Sequence, residues 1–216
     1  MMKPIPAQER LIFALDVQTA EEGRALVEQL GDAVCFYKIG LELFMAGGYF
    51  EMLDWLAARG KKIFVDLKFF DVPETVKRAV AALKGRPVEF CTVHGNQKIM
   101  EAAAEASRES GIKALAVTVL TSLDRGDLAD LGFDCDPAEL VLSRARRALE
   151  SGCAGVISSG QEALLLRESL GEKLLIISPG IRPVDNATVD DQKRTMTPRA
   201  AALAIQAEIA AVFAGK

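Results

Sequence analysis

The residues best placed to do chemistry stand in one short stretch, Asp66-Leu67-Lys68-Phe69-Phe70-Asp71-Val72-Pro73-Glu74-Thr75. It closes a strand-like run, KIFVDLK at 62–68, in which side chains alternate between two faces. Asp66 and Lys68 therefore fall on the same face, directed into the interior, while Val65 and Leu67 face covering helices. Opposite charges held in such a place are costly unless they pair or take part in chemistry. Lys38 occupies the corresponding end of the preceding strand-like run, so its ammonium can reach the same cavity. Asp71 lies just beyond, on the loop above the strand. The four can form an alternating chain, Lys38–Asp66–Lys68–Asp71, in which each neighbour favours the charged form of the next. For Asp66 and Lys68 taken alone, an ordinary ion pair at a strand end is the competing reading.

The elements that must position these groups alternate regularly. Apolar, strand-like runs are expected at 11–16 (LIFALD), 33–40 (AVCFYKIG), 62–68, 88–93, 112–120, 154–158 (AGVIS) and 174–178 (LLIIS). Helical spacing fills 19–30, 43–59 (closed by Gly60), 73–84, an Ala/Glu-rich stretch between the fourth and fifth strands, 140–151 and 162–170. Near-continuous apolar strands alternating with amphipathic helices imply a parallel sheet covered by helices, the α/β class. No GxGxxG follows the first strand, which removes the commonest dinucleotide-binding argument. Polar residues instead gather at the ends of many strands: Asp16, Lys38, Asp66, Lys68, His94, Thr121 and Ser158. Residues at the C-terminal ends of several strands are what a (β/α)8 TIM-barrel active site is built from, so a closed barrel is favoured over an open sheet. No linker divides the chain, and residues 1–216 are expected to form a single barrel domain.

Composition narrows the function. Half of the 216 residues are apolar and 26% are charged, enough for one sizeable core. A net charge of −4 with no basic cluster gives no support to nucleic-acid or membrane-surface binding. The longest apolar runs are strand-length, and Pro4 and Pro6 interrupt the start, so neither a membrane span nor a secretory signal is expected. Cys35, Cys91, Cys135 and Cys153 form no CxxC pair, and one histidine makes a zinc site hard to assemble. Reduced core thiols in a cytoplasmic protein are the expectation.

DLKFFDVPETV resembles the DxKxxDIPxT segment of the orotidine 5′-phosphate decarboxylases. Other stretches agree in order: FALD, YKIG, TVHG, VTVLTS, SPGIRP and DDQKRTMTP, from Leu11 to Pro198. The resemblance implies decarboxylation of orotidine 5′-monophosphate to uridine 5′-monophosphate, in pyrimidine nucleotide biosynthesis, with no cofactor and no metal. It places the catalytic array on Lys38, Asp66, Lys68 and Asp71, with Lys68 as proton donor to C6. It further implies that Asp16 and Lys38 hold ribose hydroxyls and that Thr121 and Ser122 contact the pyrimidine. Arg182 and Gln192 would lie on the loop that closes over the phosphate. The family is dimeric, and the resemblance implies a homodimer in which Asp71 and Thr75 reach into the partner's site. Helix capping is an equally good reading of Asp16 or Thr121 taken singly, and an exposed loop cation is the bland one for Arg182. For His94, a strand-end histidine satisfied by backbone is preferred to a catalytic one.

The sequence departs from this pattern at one place. After TMTP the family continues into an eighth strand ending in a Gly-Arg-Pro stretch whose Gly and Arg bind phosphate. Here Pro198 runs straight into an Ala-rich helix, so the barrel's eighth strand is missing from this sequence. The favoured explanation is a disordered stretch left out here, with the ends of a longer chain joined. The others are a genuine deletion that leaves an unpaired edge, and partial replacement of the phosphate arginine by Arg199. Two rival functions remain open. One is a magnesium-dependent phosphosugar barrel bearing DxKxxD, against which Val72-Pro73-Glu74-Thr75 and SPGIRP argue. The other is a binding protein that keeps nucleotide contacts without turnover.

Overall fold

The structure, a computed structural model, describes residues 5–120, 122–182 and 197–214. In chain order it contains β1 (Phe13–Ala14), α1 (Ala20–Leu30), β2 (Phe36–Gly40), α2 (Leu41–Ala46) and α3 (Tyr49–Ala57). There follow β3 (Lys62–Phe69), α4 (Pro73–Ala81), β4 (Val88–His94), α5 (Gln97–Ser110) and β5 (Lys113–Val117). The remainder is α6 (Arg125–Asp130), α7 (Pro137–Glu150), β6 (Gly155–Ile157), α8 (Ala163–Leu170), β7 (Leu175–Ile177) and α9 (Pro198–Ala214). The α/β class read from the alternation is the class found, with seven strands among the described residues.

Two compact units make up the chain. The first comprises described residues up to 66 together with 181–182 and 197–214, and holds β1, β2 and most of β3 in parallel. Its helix α1 starts at Thr19, whose side chain accepts the Glu22 N–H at 3.1 Å. Gly23, Val27 and Leu30 of α1 are buried, the spacing of one helix face. The C-terminal carbonyls of α1 meet cations, as the helix dipole favours. Lys61 Nζ donates to Gly31 O at 2.6 Å, and the Arg199 guanidinium of α9 donates to Leu30 O and, at 2.6 Å, to Asp32 Oδ1. That ion pair holds the Asp32 carboxyl below its ordinary value.

The single helix expected over 43–59 is two helices. Gly47 and Gly48 stand between them with φ of 87° and 70°, a left-handed backbone that helical residues do not adopt.

The second unit, residues 67–120 and 122–180, pairs β4, β5, β6 and β7 in parallel in chain order. Gly155 lets β6 lie close to β7, since a Cβ there would stand 2.5 Å from Leu175 O. Helix α5 buries Ile99, Met100, Ala103, Ala104 and Ala106, and α7 buries Val141, Ala145 and Ala148. Cys91 and Cys153 are buried, and burial pushes both thiols up to about 12, which leaves them protonated.

Candidate active site

In the first unit the strand register explains how the charged groups meet. Ala14 pairs with Lys38, and Gly40 with Asp66, so Asp16 and Asp66 lie about two residues further along the strands than Lys38. At roughly 3.3 Å per residue, that offset is about the length of a lysine stem. The Lys38 ammonium accordingly stands 3.2 Å from Asp16 Oδ1 and 3.3 Å from Asp66 Oδ2. Asp66 retains 10% of its side-chain exposure and Lys38 23%, whereas Asp16 retains 58%. Lys38–Asp66 is thus the sheltered half of the triad and Lys38–Asp16 the solvated half. Screening weakens the second contact far more than the first.

The one ammonium lies within ion-pair distance of both carboxylates and favours the charged form of each. Gly40 lies beside the ammonium, where an added Cβ would make an ordinary contact with Lys38 Nζ at 3.5 Å. Asp16 makes no helix cap. Thr19 caps α1, and the Asp16 carboxylate belongs to the ion pair.

In the second unit, Lys68 has φ of 48°, the one positive value on a non-glycine residue among the described residues. The simple pleat that put Asp66 and Lys68 on one face does not run through this residue. Its side-chain direction is set by a left-handed backbone that costs a long L side chain roughly 1–2 kcal/mol. The Lys68 N–H donates to Thr92 Oγ1 at 2.9 Å, and Thr92 is fully buried on β4. Sequence reading passed over Thr92. The available signal was a lone hydroxyl inside the apolar run VEFCTVH.

Beyond Lys68, Asp71 is exposed, and its Oδ1 accepts the Val72 N–H at 2.7 Å. Thr75 is exposed in the first turn of α4, which Pro73 begins. Phe70 and Val72, on either side of Asp71, are 66% and 63% exposed. Ser122 is exposed on the connection after β5. Arg182 is exposed and donates to the neighbouring Ile181 O at 2.9 Å. Thr121 and Gln192 lie outside the described residues. The His94 ring lies tilted at 53° against the Phe70 ring with centroids 4.9 Å apart, and burial, with Arg144 adding to it, holds its pKa below the ordinary value. Arg199 is committed to Leu30 O and Asp32, at the end of α1 that leads into β2, whereas Lys38 and Asp66 serve the far ends of their strands.

Among the described residues, no helix is long and apolar enough to cross a membrane. A family model described as orotidine 5′-phosphate decarboxylase / HUMPS family matches residues 9–211. A Methylococcus capsulatus protein named orotidine 5′-phosphate decarboxylase is 65% identical over 195 residues, covering 90% of this chain and 80% of its own. One of the same name from Xanthomonas campestris pv. campestris is 46% identical over 231 residues, covering 96% and 95%. That match is longer than the 216 residues of this chain, so part of the relative has no counterpart here. The crystal structure of orotidine 5′-phosphate decarboxylase from Lactobacillus acidophilus superposes with a TM-score of 0.75 at 37% identity, covering 80% of this chain and 81% of that one.

Proposed function

The chain belongs to the orotidine 5′-phosphate decarboxylase / HUMPS family and is a decarboxylase of it, and from that premise we propose that it converts orotidylate to uridylate in the cytoplasm without a cofactor. The observation that carries the reading is the sheltered Lys38–Asp66 pair, whose Asp66 stands two residues before Lys68 in DLKFFD. In the proposed reaction the bond from C6 to the carboxylate breaks and carbon dioxide leaves. Its electron pair stays on C6, and the Lys68 ammonium delivers the proton that forms the new C6–H bond. Lysine then regains a proton from solvent. A fixed ammonium beside C6 stabilises the developing carbanion and is already in place to protonate it. Asp66 lies near the departing carboxylate, and Lys38 holds Asp66 in line while sharing the ribose hydroxyls with Asp16.

Thr121 and Ser122 take the pyrimidine in this scheme, and Arg182 and Gln192 take the phosphate end. Asp71 and Thr75 act across a homodimer interface, a role supported by their exposure beside the apolar Phe70 and Val72. We further propose a single barrel domain of the eight-stranded type. The residues that this sequence lacks relative to its Xanthomonas relative would include the eighth strand and its phosphate-binding arginine. Remote phosphate contacts supply binding energy that is used at the reacting carbon, so that stretch matters for rate as well as affinity.

The test is conversion of orotidylate to uridylate by the purified protein, followed with and without a chelator. Turnover that the chelator leaves unchanged supports the proposal. Chelator-sensitive activity favours the metal-dependent phosphosugar reading. Uridylate binding in a calorimeter without turnover favours the binding protein.

A further inference from the structure

Helix α3 brings one buried polar group to the strand that carries Lys38. The Tyr49 hydroxyl donates to Ile39 O at 3.1 Å, and Tyr49 is 4% exposed. Ile39 separates Lys38 from Gly40, where β2 ends and α2 begins, so the bond falls at the base of the Lys38–Asp66 pair. The ring is held edge-on between Phe44 and Phe50, with centroids 5.3 and 5.6 Å away. Its entry into the helix depends on the left-handed backbone of Gly48. Burial foremost, and the Asp66 carboxylate after it, push the Tyr49 hydroxyl far above its ordinary pKa. The group therefore remains a donor throughout the working pH range.

We propose that Tyr49 is a positioning residue for the Lys38–Asp66 pair, its hydroxyl fixing the β2 carbonyl that follows Lys38. The effect on catalysis rests on the decarboxylase reading above, whereas the effect on β2 does not. A packed tyrosine needs no hydroxyl, since phenylalanine fills the same volume. What the hydroxyl adds is a restraint on the backbone that aims the Lys38 stem. Small displacements of a group that acts in the transition state are costly in rate.

The test compares Tyr49→Phe with Phe44→Leu, which disturbs the ring packing and keeps the hydroxyl. In Tyr49→Phe, kcat falls about tenfold while KM for orotidylate changes less than about threefold, the split expected of a group felt mainly in the transition state. The amides of Ile39, Gly40 and Leu41 exchange faster with solvent, and circular dichroism still reports a folded chain. Phe44→Leu keeps kcat within about twofold of the parent. Unchanged kcat in Tyr49→Phe overturns the proposal, as does an equal loss in both variants or loss of the folded signal in Tyr49→Phe. A parent protein without orotidylate turnover sinks the decarboxylase reading instead. Amide exchange then decides the role of Tyr49, with unchanged exchange overturning it.

Discussion

At the scale of single residues, Lys68 brings cost and use together. Its φ of 48° is a conformation that suits glycine or asparagine, and a lysine there is strained by its own backbone. The reaction proposed above gives this strained position a use, with its ammonium as the proton donor. Lys68→Asn separates the two effects. Asparagine tolerates the left-handed region, so stability in urea is expected to hold or to rise by up to about 1 kcal/mol. Turnover of orotidylate is expected to fall by roughly 10²–10⁴, the usual range for loss of a placed proton donor. A variant that loses activity and stability together would tie Lys68 to the fold rather than to the reaction. The spacing DLK was enough to single out this lysine, but its backbone geometry was not legible, because propensities assign a strand lysine to the extended region and the exception accompanies a long-range contact, the Lys68 N–H donating to the Thr92 hydroxyl.

At the scale of elements, the alternation of strand and helix was legible because apolar runs of strand length announce themselves. The places where reading failed have local physical causes. LELFMAGGYFEML keeps helical apolar spacing on both sides of its glycines, so periodicity alone joined α2 to α3. The turn at Gly47 and Gly48 outweighs that continuity. Helix α6 escaped notice because its six residues, RGDLAD, carry little apolar material. Its signal was the capping box, in which the Asp124 carboxylate accepts the Asp127 N–H at 3.0 Å and the Asp127 carboxylate accepts the Asp124 N–H at 2.9 Å. Gly48 provides the sharper test of an element boundary. Gly48→Ala places a Cβ in ordinary contact with Ala20, so crowding is not the issue. The left-handed φ of 70° is, and the substitution is expected to cost about 1 kcal/mol or more in chemical denaturation. A neutral result would mean that α3 can begin without that conformation.

At the scale of the whole molecule, the distribution of exposure bears on how a complete site is assembled. The Lys38–Asp66 pair is sheltered within the chain, while Asp71 and Thr75 stand in solvent beside exposed Phe70 and Val72. Carboxylates that serve their own site need no apolar neighbours facing water, whereas an interface does. If Asp71 completes the partner's site, two inactive proteins can repair each other. One carries Lys68→Ala with Asp71 intact, and the other carries Asp71→Ala with Lys68 intact. Subunit exchange at equal concentrations makes half of the dimers mixed. Each mixed dimer then has one site with both groups intact and one with neither. Activity is therefore expected to return to roughly a quarter of the parent value after mixing, while each variant alone stays near zero. Were Asp71 to serve the site of its own chain, every site in the mixture would still lack one group. Turnover after mixing would then equal the mean of the two separate proteins, and the shared-site arrangement would fall even if the protein proved dimeric.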